Sequence, residues 1–340
     1  MKERLKVLIL GKGNIGRAVA FYLKKFKAAK RIAFFCNEKE VKNFDLLIGA
    51  LPSETAEESL RLALKYKKDL IDVSALPISF YFKFKKDILD KGIKVIPGCG
   101  FSPGLVNLIC GFEFQNFDKI NNFEIAAGTL PKDSKFLFPF TWCFEDLIEQ
   151  HLYKASIIKN GKKINLPPFS GYKKEKLKEV GEFESYFVEE WNTLFYSLKP
   201  KNISFRVIRP IGFFYFFQYL KNYGFLKKEN LSFTKKILTR VKIDNITLAT
   251  VKISGTKKGK KKEIIWKLFS FAKAREKLNS MQKITGIIPA IMVKFLSDGK
   301  IVNKELIFME DIGRDEELFK EILKEIKNEK SILFYSKSRS

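Results

Sequence analysis

A glycine-rich turn near the N-terminus constrains the fold more than any other feature of the sequence. The apolar run Val7–Leu10 leads directly into Gly11-Lys12-Gly13-Asn14-Ile15-Gly16, and helical spacing continues from there to Lys27. In a strand–turn–helix context, the first glycine permits a tight turn, the second lets the backbone approach a pyrophosphate, and the third allows the helix to pack closely on the strand. The N-terminus of the helix then receives the anion. We therefore predict a dinucleotide-binding loop, with a purely structural glycine turn as the alternative; its contacting residues are Gly11, Gly13, Asn14, Ile15 and Gly16.

Short apolar runs alternate with helical patterns over the first third of the chain. Further strands are predicted at Arg31–Cys36, Leu46–Ala50, Leu70–Val73 and Lys94–Ile96. Helices are predicted at Thr55–Tyr66, capped by Ser53, and at Phe82–Lys91. This alternation is typical of a parallel sheet that is covered on both faces by helices.

The pattern changes near Asn121. Asn160-Gly161 between β-prone residues indicates a hairpin, and Asp244–Ile253 and Glu263–Ala272 alternate as strands around a lysine-rich tip. Helices return at Ser280–Leu296 and Glu316–Lys327, and the polar tail is expected to fray. The predicted fold class is α/β, with an N-terminal Rossmann-type parallel sheet and a second α+β domain containing antiparallel strands.

The end of the second predicted strand bears on the choice of cofactor. An acid usually stands there and bonds the adenosine ribose, but this chain has Asn37. An asparagine can bond a 2′-hydroxyl without repelling a 2′-phosphate, so both NAD and NADP are compatible with it. NAD is slightly favoured because no arginine follows at once, and Lys39 and Lys42 are weak evidence for a phosphate.

Two further strand ends and one loop are expected beside the nicotinamide, because ligands of such sheets bind beyond the carboxyl ends of the strands. The predicted contacts there are Ala50, Leu51, Pro52 and Ser74, although Ser74 could instead cap a helix. The segment Pro97–Asn107 holds glycines and prolines directly after a strand, which indicates a rigid loop where backbone meets ligand.

The composition excludes several classes of function. Four cysteines without a CxxC pair and a single histidine, His151, argue against a disulfide scaffold and against any metal site. The net charge of +26 is spread as single lysines along the chain, so we interpret it as a solvated surface and expect no specific nucleic-acid binding. The longest apolar run, Ile211–Leu220, is too short to span a membrane, and no signal peptide is recognisable. We therefore expect a cytoplasmic protein without membrane association.

Several segments together resemble one known family. They are GKGNIG, IGALP, DVSALP and PGCGFSPGLVN in the first third, followed by AGTLP, PFTWCFEDLIEQHLYKASIIKNGK, RVIRPIGF and SMQKITGIIPAIMVKFLSDGK with Phe308-Met309-Glu310. In this order they resemble the saccharopine dehydrogenase family, and most closely its lysine 6-dehydrogenase-like branch. The resemblance covers nearly the whole chain.

The resemblance implies an organisation. A dinucleotide-binding Rossmann domain is expected at residues 1–124 and an α+β domain for substrate binding and dimerisation at residues 125–280. A C-terminal helical segment, residues 281–340, is expected to pack back on the first domain. A homodimer and a role in lysine metabolism are implied as well.

The implied chemistry is hydride transfer between NAD(P) and a carbon–nitrogen bond of an amino acid, such as oxidative deamination of lysine or interconversion of saccharopine-type imines. Cys99 is the predicted catalytic residue, which would take a proton or orient a water molecule. The predicted substrate-binding residues are Ser102, Gly104, Thr141, Trp142, Arg206, Arg209 and Glu310.

The chain departs from the family pattern at several positions. Asn37 replaces the usual acid, Gln150 and His151 stand where an acid and a tyrosine are usual, Phe213 replaces a histidine, and Met309 replaces a proline. These departures keep two alternatives open. One is a non-catalytic dinucleotide-binding regulatory or scaffold protein, and the other is a polyamine enzyme resembling carboxynorspermidine dehydrogenase.

Overall fold

The computed structural model describes residues 4–74, 76–133, 135, 143–189, 193–302 and 305–339. The chain divides into two compact units. The first consists of Met1–Asn116, Trp191–Leu198 and Gln282–Glu329, and the second of Phe117–Glu190, Lys199–Met281 and Lys330–Ser340.

The helices and strands follow the chain in a simple order. The strands are β1 (Lys6–Leu10), β2 (Arg31–Phe34), β3 (Leu46–Gly49), β4 (Asp69–Asp72), β5 (Val95–Ile96), β6 (Lys119–Pro131), β7 (Ala155–Lys159), β8 (Lys162–Leu166), β9 (Lys173–Leu177), β10 (Gly181–Phe187), β11 (Asn202–Arg209), β12 (Asn245–Lys257), β13 (Lys260–Ala272) and β14 (Ile332–Arg339). The α-helices are α1 (Asn14–Lys25), α2 (Glu57–Tyr66), α3 (Ile78–Lys83), α4 (Lys85–Lys91), α5 (Leu105–Phe114), α6 (Phe144–Leu152), α7 (Leu194–Ser197), α8 (Phe213–Asn222), α9 (Lys228–Leu238), α10 (Ser280–Ser297), α11 (Met309–Arg314) and α12 (Glu316–Lys327). Short 3-10 helices cover Glu38–Asn43 and Ser53–Thr55.

The first unit is built on a five-stranded sheet in the order β2-β1-β3-β4-β5. Every pairing in it is parallel. After β2 the chain crosses back over β1 to form β3, so the order of the strands reverses between β1 and β3. In open α/β sheets a ligand binds at such a switch point, beyond the carboxyl ends of the strands.

Apolar side chains cover the sheet of the first unit. In β1 the four residues Val7–Leu10 are buried without alternation, as expected for a central parallel strand with helices on both faces. Leu8 and Leu47 pack in one cluster with Leu60 of α2 and Ile88 of α4. This burial anchors the ends of the strands, and hence the loops that follow them.

The second unit contains a nine-stranded sheet with the main order β14-β13-β12-β6-β11-β10-β9, and β7 and β8 lie off this path. Strands β6 and β11 are parallel, and the other pairings are antiparallel. The predicted hairpin at Asn160-Gly161 is confirmed, because both residues have positive φ, 51° and 75°, as a tight two-residue turn requires. The hairpin of β12 and β13 is confirmed as well, with Lys258-Gly259 at its tip.

The structure differs from the sequence-based expectation at several elements. The tail from Phe334 was expected to fray, but Ile332–Arg339 forms strand β14, which pairs along β13 from Ser270 to Glu263. The open edge of β13 supplies backbone partners that the tail alone does not reveal. The expected helix at Phe82–Lys91 is instead α3 followed by α4. Ser53 starts a 3-10 turn, and the N-cap residue of α2 is Ala56 and not Ser53 as expected.

Two segments lie with a different unit than their neighbours in sequence. Trp191–Leu198 belongs to the first unit although residues on both sides of it belong to the second. Lys330–Ser340 belongs to the second unit although it follows the helices of the first. The expected C-terminal segment 281–340 is thus divided between the units, because α10 to α12 pack with the Rossmann-type sheet and β14 completes the other sheet.

Candidate active site

The glycine loop after β1 has the geometry of a phosphate-binding turn. Gly11 has a φ of +118°, and a β-carbon there would collide with the carbonyl oxygen of Ala50. A β-carbon on Gly16 would collide with the carbonyl oxygen of Gly11, so α1 can approach the loop only with glycine at this position. At Gly13, by contrast, no heavy atom beyond Gly13 and its chain neighbours lies within 4 Å of the position of a β-carbon. The backbone of Gly13 therefore faces open space, which fits the approach of a pyrophosphate.

The remaining residues predicted to contact the cofactor lie at the same edge of the sheet. Ala50 follows β3, and its amide donates a 2.8 Å hydrogen bond to the carbonyl oxygen of Leu10 at the end of β1. Asn14 and Ile15 form the first turn of α1, beside Gly13. The segment Ala50-Leu51-Pro52 thus lies next to the glycine loop, on the β3 side of the switch point.

Asp72, the last residue of β4, joins two predicted site loops. Its carboxylate accepts hydrogen bonds from the amide of Ser74 at 2.7 Å and from the hydroxyl of Tyr81 at 2.8 Å. Its carbonyl oxygen accepts a 2.8 Å bond from the amide of Cys99. Burial raises the pKa of the Asp72 carboxyl, while the hydrogen bonds of Ser74 and Tyr81 oppose that rise. Asp72 is fully buried, so it positions loops and does not itself face a ligand.

The loop of Cys99 is held by backbone hydrogen bonds. The amide of Gly100 bonds the carbonyl oxygen of Pro103 at 3.1 Å, and the amide of Leu105 bonds the carbonyl oxygen of Gly100 at 2.9 Å. Gly100 and Gly104 form an isolated β-bridge, whereas Ser102 is half-buried. This agrees with the rigid loop expected from its glycines and prolines.

Cys99 itself is fully buried. Burial, with the charge of Asp72 as a smaller contribution, raises the pKa of its thiol far above the usual range. The group is therefore a neutral thiol, and only a thiol hydrogen or a weak sulfur acceptor is offered to a reaction. Its catalytic role stays a prediction.

Glu310 lies at the centre of a buried hydrogen-bond network within the first unit. Its carboxylate accepts bonds from the Ser197 hydroxyl at 2.5 Å and from the Asn107 side chain at 3.2 Å. The side-chain amide of Asn107 also donates a 3.0 Å hydrogen bond to the hydroxyl of Thr193. Burial raises the pKa of Glu310, and these donors oppose the rise. The network ties α5, α7 and α11 together, so the expected contact of Glu310 with substrate stays a prediction.

Arg206 and Arg209 point to opposite faces of the second sheet, because they lie three residues apart on strand β11. The Arg206 guanidinium lies 4.1 Å from the centroid of the Phe187 ring and donates a 2.7 Å bond to the carbonyl oxygen of Gly171. Arg209 is buried and bonds the side-chain oxygen of Gln150 at 3.0 Å. At most one of them can contribute to any one site on this sheet.

His151 is buried among aromatic rings in the second unit. Its Nδ1 lies 2.6 Å from the carbonyl oxygen of Leu147, so Nδ1 carries the proton. The ring centroids of Phe213 and Phe217 lie 5.0 Å and 5.2 Å from the centroid of the imidazole ring. Burial, and to a lesser extent the charge of Arg209, lowers its pKa well below the usual value. The histidine is thus a neutral core residue.

Other expectations can be compared with the described part of the chain. No group of three or more metal-ligating side chains occurs within it. None of its helices has the length and apolarity needed to cross a bilayer. Two predicted substrate contacts, Thr141 and Trp142, lie outside the described residues.

Sequence reasoning missed several residues that shape the site. Asp72 and Tyr81 were not singled out, although an acid that ends a buried strand is a detectable signal. Gln282 of α10 donates a 3.0 Å bond to the carbonyl oxygen of Asn14. No local signal relates these two residues, which lie 268 positions apart.

Comparison with known proteins identifies relatives of this architecture. The family model described as "Saccharopine dehydrogenase C-terminal domain" matches residues 100–332, which is more than half of the chain. The apo form of a histidine-tagged saccharopine dehydrogenase (L-Glu forming) from Saccharomyces cerevisiae matches with a TM-score of 0.74 and 18% identity, over 99% of this chain and 100% of that chain. At this identity the match shows a shared fold. A probable dehydrogenase from Thermotoga maritima matches more distantly, with a TM-score of 0.45 and 10% identity over 97% of this chain and 98% of that chain.

Proposed function

The chain belongs to the saccharopine dehydrogenase family, and we propose that it transfers hydride between a nicotinamide cofactor and a carbon–nitrogen bond of an amino acid. Membership of this family and the dinucleotide-binding type of fold support an NAD(P)-dependent oxidoreductase. The finer proposal concerns the reaction, which is oxidative deamination of lysine or interconversion of saccharopine-type imines.

The glycine loop carries this proposal. Gly11 and Gly16 are required by close backbone contacts, whereas Gly13 faces open space at the switch point of the sheet. A merely structural turn would need Gly11 and Gly16 but not Gly13. The residues present therefore fit a dinucleotide, with the loop and the first turn of α1 receiving its pyrophosphate.

The cofactor would supply the hydride acceptor or donor. The chain's own residues would bind, orient and shield the reactants. Ala50, Leu51 and Pro52 follow β3 and would line the nicotinamide half of the site. Ser74 and the Cys99–Gly104 loop, both fixed by Asp72, would form a rigid wall beside it. Half-buried Ser102 is the polar side chain of this loop that is exposed enough to meet a substrate.

An amino acid substrate needs an anchor for its carboxylate, and the planar fork of arginine suits that task. Arg206 is half-buried and Arg209 is buried against Gln150, so Arg206 is the more accessible of the two candidates. Thr141, Trp142 and Glu310 remain further candidates for substrate contacts.

The wider biological setting belongs to the same proposal. It comprises a homodimer acting in the cytoplasm, a small amino acid as substrate, and a place in lysine metabolism. Specific nucleic-acid binding and membrane association are not part of it. The cofactor is NAD or NADP.

A second candidate is a dinucleotide-binding protein without turnover. Burial of Cys99, with its raised pKa, favours this alternative, because the predicted proton acceptor is a neutral thiol. His151 is buried as a neutral core residue and supplies no accessible base either.

Turnover measurements distinguish the candidates. The purified chain is assayed with lysine, saccharopine and a carboxynorspermidine-type polyamine, each with NAD and NADP in both directions. The proposal expects turnover of an α-amino acid. It also expects two single variants, Cys99→Ala and one of Arg206→Ala and Arg209→Ala, each to lower kcat/KM by about tenfold or more, or about 1.4 kcal/mol. Cofactor affinity should be nearly unchanged in these variants. If the chain binds cofactor but converts none of the three substrates, the non-catalytic alternative takes its place.

A further inference from the structure

The end of β2, where the adenosine ribose of a dinucleotide binds in this type of sheet, is positively charged in this protein. Lys12 belongs to the glycine loop and is exposed. Its ammonium nitrogen lies 3.4 Å from the sulfur of Cys36, two residues after the end of β2. The side chain of Lys12 therefore reaches from the phosphate loop to the ribose position and places a cation there.

The backbone that carries Lys12 is fixed. Arg17, on the first turns of α1, donates a 2.9 Å hydrogen bond from its Nε to the carbonyl oxygen of Lys12. The lysine thus extends from an ordered turn at the start of α1, and less conformational entropy is lost when it binds an anion.

The nearest acid is directed elsewhere. Glu38 follows Asn37, but its carboxylate accepts a 3.0 Å hydrogen bond from the hydroxyl of Tyr66 and forms an ion pair with Lys65. Both partners lie on α2. The bond from Lys65, and then that from Tyr66, holds the pKa of Glu38 below its usual range. Its charge is thus paired on the side of α2, and it is not offered to a ribose hydroxyl.

The other groups after β2 do not restore a negative charge at this position. Asn37 is exposed and neutral, and Lys39 and Lys42 flank the next acid, Glu40. An acid at the end of β2 selects NAD by bonding the 2′-hydroxyl and repelling a 2′-phosphate. In this protein the loop carries the cation of Lys12, the neutral Asn37 follows the strand, and the carboxylate of Glu38 is paired with Lys65.

We propose that Lys12 binds the 2′-phosphate of the cofactor, with Asn37 as a neutral neighbour, so that the protein prefers NADP(H) to NAD(H). This inference rests on the proposed function and deepens it at the cofactor site. It departs from the slight preference for NAD that the sequence suggested, since the sequence shows neither the reach of Lys12 nor the pairing of Glu38.

Fragments of the cofactor measure how much the 2′-phosphate contributes to binding. The dissociation constants of 2′,5′-ADP and 5′-AMP are measured calorimetrically at fixed ionic strength, for the parent chain and for Lys12→Ala. The parent should bind 2′,5′-ADP about tenfold or more tightly than 5′-AMP, and Lys12→Ala should reduce that ratio to about threefold or less. Lys12→Arg, which keeps the cation, should retain the ratio.

Lys24→Ala is the matched control. Lys24 is also an exposed lysine, but it lies in the last turn of α1, about 15 Å along the helix from its start. It removes the same charge from the chain and should leave the ratio unchanged. A fall in the ratio as large as that in Lys12→Ala would attribute the preference to net charge and overturn the assignment to Lys12.

Intact cofactors separate this inference from the proposed function. NADPH and NADH are titrated by their fluorescence in the same variants. NADPH should bind more tightly in the parent, and only NADPH should weaken in Lys12→Ala. If NADH binds as tightly as NADPH and neither responds to Lys12→Ala, the inference fails while the proposed function stands. If neither cofactor binds at all, the proposed function fails as well.

Discussion

The hydroxyl of Tyr81 donates a 2.8 Å hydrogen bond to the carboxylate of Asp72, and both side chains are buried. The same carboxylate bonds the amide of Ser74, and the Asp72 carbonyl oxygen bonds the amide of Cys99. One acid at the end of β4 therefore fixes two loops at the carboxyl edge of the sheet. Helix α3 supplies the hydroxyl that keeps this acid satisfied.

Tyr81→Phe should destabilise the protein. The variant leaves a buried carboxylate oxygen without the hydroxyl donor, which costs about 1–3 kcal/mol. Urea denaturation measures the loss, and Tyr219→Phe is the control because Tyr219 is 63% exposed. Equal free energies of unfolding for the two variants would show that the Asp72–Tyr81 bond contributes nothing.

Gly13→Val should abolish cofactor binding without unfolding the chain. The new side chain would enter the space left for the pyrophosphate, and no protein atom beyond residue 13 and its chain neighbours lies within 4 Å of its β-carbon. NADH and NADPH titrations test the first effect and thermal denaturation the second. Gly16→Ala is the informative contrast, since its β-carbon would meet the Gly11 carbonyl oxygen and should lower stability. Full cofactor affinity in a folded Gly13→Val variant would mean that the site is elsewhere.

Asn37→Asp should shift cofactor preference towards NAD. The introduced carboxylate would accept a bond from the ribose 2′-hydroxyl and repel a 2′-phosphate. We expect the ratio of the NADPH to the NADH dissociation constant to rise about tenfold, measured by fluorescence titration. An unchanged ratio would refute the assignment of Asn37 to the ribose.

Glu310→Ala should destabilise the first unit. The truncation removes an acceptor from the buried side-chain amide of Asn107 and from the half-buried hydroxyl of Ser197, which can still donate to the carbonyl oxygen of Thr193. We therefore expect a loss of about 1–3 kcal/mol, chiefly from the Asn107 donor. Glu310→Gln keeps one oxygen acceptor and should cost less. Glu317→Ala, an exposed acid on α12, is the control for loss of a carboxylate. A Glu310→Ala variant as stable as this control, yet impaired in turnover, would instead support the contact with substrate.

His151 should make stability fall with acidification. Its folded-state pKa lies well below the usual value, so below about pH 6.5 the unfolded chain binds the proton more readily than the folded chain. The free energy of unfolding should therefore decrease by up to about 1.4 kcal/mol per pH unit below that point. His151→Phe should remove this contribution.

Comparing the parent with the His151→Phe variant separates the contribution of His151 to the pH dependence of stability from that of other groups. Asp72, Glu184 and Glu310 have raised pKa values and oppose the trend in both proteins alike. Urea denaturation from pH 7.5 to about pH 5.5 provides the measurement. Parallel pH profiles for parent and variant would show that His151 is not held neutral.

The parallel sheet and its glycine loop were predictable because their signals are local. A buried parallel strand is a short apolar run, and the turn after β1 needs glycine at Gly11 and Gly16 for steric reasons that depend on few neighbours. The hairpin turn at Asn160-Gly161 was predictable for the same reason. Strands β9 to β11 were not identified, because β9 is lysine-rich and its pairing with β10 depends on residues outside it.

Only the part of the candidate site that consists of loops directly after predicted strands could be predicted from the sequence. The loops after β1, β3, β4 and β5 could be assigned to one edge because parallel strands end on the same side. Arg206 and Arg209 looked equivalent in sequence, but strand geometry turns them to opposite faces. Cys99 looked reactive in its loop, and burial makes it a neutral thiol.

By itself the sequence determined the dinucleotide-type sheet, the glycine loop and the β12–β13 hairpin, since the signal for each of their strands and turns lies within a few positions of the chain. Only the tertiary structure decided that β14 completes the second sheet, that Glu310 meets Asn107 and Ser197, and that Lys12 reaches Cys36 while Glu38 pairs with Lys65. These relationships join residues far apart in the chain, so no local propensity encodes them. They form only when burial of the apolar faces brings the segments together, and the charge and accessibility of each group follow from that packing.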